Sequence, residues 1–196
     1  MSSDLGKHRP ETHRFHLPVE SAFGTLYVVW RYAAGHPLVL HIALPNEASG
    51  GRPGAAVAHL TTTAGEPSPA IGHLAAGLRR YLNGEQVAFD LRLMALETCS
   101  EFQRAVLLAE CAIPRGAVST YGRVARAVGR AGAARAVGQA LARNPFPIVI
   151  PCHRAVRADG ELGGYRGGVA MKRALLELEG VSFDSRGRAR VDRFHY

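Results

Sequence analysis

Lysine is almost missing from this sequence. Of 24 basic residues only Lys7 and Lys172 are lysines, and the other 22 are arginines. A guanidinium offers a planar fork to phosphate and stacks on bases, so the bias suits a nucleic-acid partner. A GC-rich coding sequence gives the same bias, and composition leaves both explanations open. Acidic residues are missing locally: between Cys111 and Ala158 there are eight arginines and no Asp or Glu. Residues 1–96 are close to neutral at net +1, whereas residues 97–196 carry net +7 of the total +8. A one-sided basic field implies a polyanionic partner. Cysteine is scarce, with Cys99, Cys111 and Cys152 at no metal-binding spacing, and the odd count argues against a disulfide framework. No cysteine precedes position 99, so His8, His13 and His16 read as a solvated arm and no metal site is expected. The polar N-terminus has no apolar signal core, and no apolar run approaches membrane-spanning length. The expected setting is a reducing cytoplasm, with no membrane partner. Internal repeats and strong low-complexity segments are absent.

Alternation at Leu26, Val28, Trp30 and Tyr32, and again at Leu38, Leu40, Ile42 and Leu44, predicts two strands joined by a hairpin at Ala33–Pro37. Residues 45–67 read as a long surface loop. Ser68 as N-cap and Pro69 in the first turn open a helix with Ile71, Leu74, Ala75, Leu78 and Leu82 as its stripe, ended by Gly84. Val87, Phe89, Leu91 and Leu93 predict a third strand. This half, residues 1–95, therefore reads as a small α/β scaffold with a three-stranded antiparallel sheet and no clustered chemistry.

The second half reads differently. Thr98 or Ser100 caps a helix with Phe102, Ala105, Val106 and Ala109 on one face, and Pro114-Arg115-Gly116 ends it. Residues 119–128 and 133–143 predict two short helices around the turn Gly129-Arg130-Ala131-Gly132, which fits a helix-turn-helix or an ordinary helical hairpin. The second of these presents Ala133, Ala134, Ala136 and Gly138 around one long side chain, Arg135. Small residues permit close approach to a groove wall, and a lone arginine can enter a base stack, which is shape-based binding. A tightly packed internal helix with Arg135 in a salt bridge is the alternative. Glycines 160, 163, 164, 167 and 168 mark a loop around Tyr165, and Met171, Ala174, Leu175 and Leu178 form a last stripe. Glu179 is placed unfavourably for the helix dipole, as a carboxylate with another task would be.

The stretch from Asn144 to Arg154 concentrates the chemistry. Prolines 145, 147 and 151 bracket Ile148-Val149-Ile150 and predict a rigid, extended, partly buried segment. Cys152 follows, with His153 and Arg154 beside it. Nearby cations favour a thiolate, and the thiolate is the nucleophile. A buried structural cysteine is the plainer reading of such a pair.

Together the motifs Ser119-Thr120-Tyr121-Gly122, Ala134-Arg135-Ala136-Val137-Gly138, Asn144-Pro145, Pro151-Cys152-His153-Arg154, Gly164-Tyr165-Arg166-Gly167-Gly168 and Glu179-Gly180 resemble the O6-alkylguanine-DNA alkyltransferases, the methylated-DNA–protein-cysteine methyltransferase family. Their order and spacing over about residues 100–180 carry the resemblance. It implies an α+β protein with a mostly helical, winged-helix-like C-terminal unit at 96–181 and a basic tail at 182–196. It implies a monomer, associated with the nucleoid, that acts on double-stranded DNA carrying O6-alkylguanine, and it leaves activity on O4-alkylthymine open. The implied reaction extrudes the damaged base and moves its alkyl group irreversibly to Cys152, once per molecule and without a cofactor. His153, oriented by Glu179, would take the thiol proton through a water. Tyr121 would protonate the departing guanine, and Asn144 would brace the turn. Arg135 would fill the vacated stack, Arg154 would lie with the DNA-binding residues, and Pro147, Val149, Tyr165 and Arg166 would shape the pocket.

The sequence departs from the family in three places. Phe102-Gln103-Arg104-Ala105-Val106-Leu107 lacks a tryptophan common at that helix, Arg166 stands where a small hydroxyl residue can follow the pocket tyrosine, and the zinc site of some members cannot be built. A non-catalytic alkyltransferase-like lesion-binding protein would share the groove helix but lack Cys152. A cysteine hydrolase would need an oxyanion site.

Overall fold

The computed structural model describes residues 13–45, 62–190 and 194–196. His8 and most of the 45–67 loop therefore lie outside the described residues. Strand β1 (Phe15–Val19) pairs antiparallel with β2 (Leu26–Ala33), which pairs antiparallel with β3 (His36–Ala43). The β2–β3 turn places Ala34 and Gly35 at φ 48° and 80°, the left-handed conformation that a two-residue hairpin turn demands. β4 (Thr63–Ala64) runs parallel to β1, giving the order β3-β2-β1-β4.

Among the described residues the sheet is thus four-stranded and mixed, which corrects the three-stranded antiparallel expectation. Its first strand contains His16, placed by the sequence in a solvated arm; His16 and His13 instead bond the hydroxyls of Thr62 and Thr63. Val87–Leu93 is not a strand. Asp90 accepts the amide of Arg92 and binds its guanidinium, opening a short 3-10 turn at Leu91–Leu93, and the chain touches β3 through one bridge, Val39 to Met94. Apolar alternation there serves packing on the helix, with Val87 and Phe89 against Gly77.

Helix α1 (Pro69–Leu82) starts at Ser68, whose hydroxyl accepts the Ile71 amide, and it buries the predicted stripe together with Tyr81. Helix α2 (Glu101–Ala112) starts at Ser100, not Thr98, and buries Val106, Leu107 and Glu110. Its face is therefore rotated from the predicted one, with Ala105 exposed. β5 (Ser119–Thr120) leads into α3 (Tyr121–Ala127), and α4 (Ala134–Ala142) follows after glycines 129 and 132 at positive φ. β6 (Ala155–Val156) pairs parallel with β5. Helix α5 (Val169–Leu178) precedes a small hairpin of β7 (Ser182–Phe183) and β8 (Ala189–Arg190).

One cluster of buried side chains runs from Trp30, Ile71 and Leu78 through Val106 and Ile113 to Val124, Phe146 and Leu175. The sheet, α1 and the later helices therefore share a core, and the Cys152 segment lies within it. Among the described residues no helix is long and apolar enough to cross a membrane.

Candidate active site

Asn144 builds the segment that holds Cys152. Its Oδ1 accepts the Phe146 amide at 2.9 Å, and its Nδ2 donates to the Ile150 carbonyl at 3.0 Å and to Cys152 Sγ at 3.1 Å. The Ile150 amide donates to Phe146 O at 2.8 Å. The proline-bracketed stretch is therefore a tight turn rather than the extended segment predicted. Ile148 sits at φ 75°, a conformation that a β-branched residue rarely adopts and that costs about 1–3 kcal/mol. The prolines fix their own φ but leave Ile148 free to reverse, and the Asn144 bonds close the reversal. Cys152–Arg154 then forms one 3-10 turn, with all three side chains buried.

Behind the thiol lies a buried ionic group. His153 Nε2 stands 3.2 Å from Glu179 Oε1, and Glu179 caps the end of α5. Arg154, expected at the DNA surface, is turned inward. Its Nε donates to Glu179 Oε2 at 2.9 Å, one terminal nitrogen to Oε1 at 2.5 Å, and the other to Ile113 O at 2.6 Å. These bonds hold the Glu179 carboxyl well below the ordinary range, despite its burial. Burial pushes the His153 imidazole down, so it is neutral and able to accept a proton. Its Nδ1 is buried and makes no hydrogen bond among the described residues.

The thiol differs from the sequence reading. Burial pushes Cys152 up to about 11, outweighing the Asn144 bond and the cations Lys172 and Arg166, which all act to lower it. At neutral pH it is a thiol, so transfer needs a base. Cys111 is pushed up to about 11 as well, also by burial. Acidity therefore does not single out Cys152; its setting does.

That setting is a cavity of about 410 Å³ with Cys152 in its wall. Of the predicted residues, Tyr121, Asn144, Pro147, Tyr165, Arg166 and Gly138 line it. Val149 does not, being packed in the core. Leu141 and Ala142 of α4 and Gly164 complete the wall. Burial raises Tyr121 to about 12, which keeps its hydroxyl a proton donor. Gly163 lies so close that a Cβ there would stand 2.9 Å from that hydroxyl. Arg166 is tied by a 2.8 Å bond to Ala142 O, which joins the glycine loop to α4.

On the outer side of α4, Arg135 and Ala136 are exposed, and Ala133 and Ala134 are half-buried. Arg135 makes no ion pair with any described residue, so the packed-helix alternative lacks its salt bridge. Gln103 of α2 donates to Ala140 O and Arg143 O and so fixes the end of α4.

Sequence reasoning missed four functional-site neighbours. Tyr81 of α1 reaches the ionic group, with its hydroxyl bonded to Glu179 Oε1 and 3.0 Å from His153 Nε2. Arg115 donates to Gly84 O, Glu85 O and Leu178 O. Lys172, fully buried, donates to Ala155 O and Leu162 O. Glu110 is buried with both carboxyl oxygens unpartnered among the described residues. Only a buried lysine or glutamate on an otherwise apolar helix face could have signalled the last two.

Residues 101–181 match the family model described as the 6-O-methylguanine DNA methyltransferase, DNA binding domain. A methylated-DNA–protein-cysteine methyltransferase of Methanothermobacter thermautotrophicus is 49% identical over 118 residues, 60% of this chain and 66% of that protein. One from Mycobacterium bovis is 46% identical over 121 residues, 62% of this chain and 70% of that protein. The chain thus spans about two thirds of the length of these curated relatives. Among solved structures, that of Mycobacterium tuberculosis OGT in complex with DNA superposes with a TM-score of 0.66 at 33% identity, covering 86% of this chain and 93% of that one. The O6-methylguanine-DNA methyltransferase of Pyrococcus kodakaraensis gives 0.63 at 26% identity, with 86% and 99% covered. A thiol held by Asn144 in a pocket beside α4, backed by His153 and Glu179, is in keeping with these likenesses, and the chain belongs to the methylated-DNA–protein-cysteine methyltransferase family.

Proposed function

We propose that this protein repairs O6-alkylguanine in double-stranded DNA by direct reversal. The alkyl carbon forms a bond to Cys152 Sγ as its bond to guanine O6 breaks. The thiol proton passes through a bridging water to His153 Nδ1, and the Tyr121 hydroxyl protonates the departing purine. Nothing else is consumed, so no cofactor is required. The thioether has no route back, so each molecule acts once. The observation that carries this reading is the Asn144-held sulfur in the cavity wall, next to a neutral imidazole with a buried carboxylate behind it. A thiol that is protonated at rest needs such a base to become a nucleophile.

The lesion must leave the base stack to reach this cavity. Arg135, exposed and without an ion pair among the described residues, is suited to enter the gap, while the small side chains of α4 let the groove wall approach closely. The first turn of α4 carries no side-chain cap, which leaves its amides for a phosphate. Residues 119–142 act in this reading as a helix-turn-helix, inside a DNA-binding and transfer unit at 96–181. Residues 1–95 form the scaffold, and 182–196 the basic tail. The protein works as a monomer on chromosomal DNA in the cytoplasm. Titration with duplex DNA carrying labelled O6-methylguanine tests the reading. Transfer should stop at one equivalent per chain and leave unmodified guanine; binding without transfer would make this a lesion-recognition protein instead.

A further inference from the structure

We propose that Tyr81 is a positioning residue for the transfer: its hydroxyl, wedged between His153 and Glu179, fixes the imidazole proton on Nε2 and leaves Nδ1 as the base. The inference rests on the alkyl-transfer reading, and it makes the N-terminal unit part of the proton relay as well as a scaffold.

Counting hydrogens leads to this assignment. Glu179 is held ionised by Arg154 and can only accept. The single hydroxyl hydrogen of Tyr81 goes to Glu179 Oε1. Two oxygens then face His153 Nε2 with no hydrogen left to offer it, Tyr81 Oη at 3.0 Å and Glu179 Oε1 at 3.2 Å. Nε2 must therefore carry the proton. Glu179 Oε1 already accepts from Arg154 and Tyr81, and its contact to Nε2 is the longer of the two. The tyrosine oxygen is thus the better-placed acceptor, and it also fixes the ring plane. The other charged or titratable neighbours of His153 are Arg154, Lys172 and Cys152, and the Tyr165 ring meets it edge-on; none of them supplies an acceptor at Nε2.

The surrounding structure holds the hydroxyl in place. The Arg115 guanidinium lies 5.5 Å over the Tyr81 ring, a cation–π distance. The same group donates to Gly84 O and Glu85 O, just beyond α1, and to Leu178 O, the residue before Glu179. One arginine therefore ties together the two helix ends that bring Tyr81 and Glu179 to the histidine.

The test is Tyr81→Phe in the full chain, which keeps the ring and removes the hydroxyl. Nitrogen-15 shifts of His153 are recorded for wild type and variant, alongside alkyl-transfer rates on duplex DNA and on free O6-benzylguanine. The wild type should show a protonated Nε2 and a bare Nδ1. The variant should show a mixture of tautomers, and both rates should fall about tenfold, a part of what a general base supplies. Affinity for undamaged DNA should stay within about twofold, because phosphate contacts are untouched. An unchanged tautomer, with or without a slower reaction, overturns the proposal, and so does an unchanged rate. If Tyr81→Phe fails to fold, the wild-type spectrum decides: a proton on Nδ1, or an Nε2 proton with no nuclear Overhauser contact to the Tyr81 hydroxyl proton, overturns the assignment, and a proton on Nε2 with that contact supports it. A wild-type chain that transfers no alkyl group sinks the transferase reading, while the nitrogen shifts report on Tyr81 in either case.

Discussion

Replacing Glu110 with leucine should stabilise the protein at neutral pH. Glu110 is fully buried on α2, and neither carboxyl oxygen has a hydrogen-bond partner among the described residues. Burial pushes its carboxyl from 4.5 to about 8, although Lys172 and Arg154 pull the other way. Between those values the folded chain keeps a proton that the unfolded chain releases, so stability is lost as pH rises. At pH 7 the unfolded carboxyl lies about 2.5 pH units above its own pKa, which corresponds to ~3 kcal/mol. Leucine has a similar volume and nothing to ionise, and at pH 7 the folded carboxyl is neutral, so Lys172 loses no ion pair. Glu110→Leu should therefore gain about 2–3 kcal/mol at pH 7, or roughly 4–12 °C in Tm for a chain of this size. Near pH 4.5 this pH-dependent part of the gain should almost vanish. Urea unfolding of both proteins at pH 4.5, 6 and 7 measures it. A variant that is less stable at pH 7, or whose gain is the same at all three values, would mean that the buried Glu110 carboxyl does not carry this cost.

Arg135→Ala should slow repair of duplex DNA strongly, because extrusion costs a few kcal/mol, yet leave reaction with free O6-benzylguanine nearly unchanged. Equal slowing of both would mean that Arg135 supports the pocket. DNA affinity should fall steeply with salt, and removing any one of the exposed Arg126, Arg130 or Arg143 should reduce the slope of log K against log salt by about one. A flat salt dependence, or strong preference for one undamaged sequence, would remove phosphate contact as the source of affinity.

Much of the site was legible because its residues lie in a short, ordered run. Cys152, His153, Asn144 and Tyr121 sit in motifs whose chemistry is visible at close spacing, and Ser68 and Ser100 announce their helices through their capping hydroxyls. What stayed hidden depends on distance along the chain. Tyr81 is 72 residues from His153 and 98 from Glu179, so no local pattern links them. Arg154 resembled a surface cation in a basic stretch, and only the fold shows Glu179 and Ile113 O meeting it. β1 was obscured by Pro18 and by His16 among its five residues, and β4 adds only two residues to it. The alternation at Val87–Leu93 was misleading because a pattern of period two says nothing about whether a partner edge is in reach. The acidity of Cys152 was misjudged because the sequence shows which cations are near but not how complete the burial is, and burial outweighs them.

Position rather than acidity marks Cys152 as the acceptor, since Cys111 and Cys152 are both raised to about 11 and it is Cys152 that has Asn144 on its sulfur and lies in the cavity wall beside His153. Peptide mapping by mass spectrometry after reaction with one equivalent of duplex O6-methylguanine DNA tests this directly. One methyl group should be found on Cys152 and none on Cys99 or Cys111; methyl groups shared between Cys111 and Cys152 would mean that position does not select the acceptor.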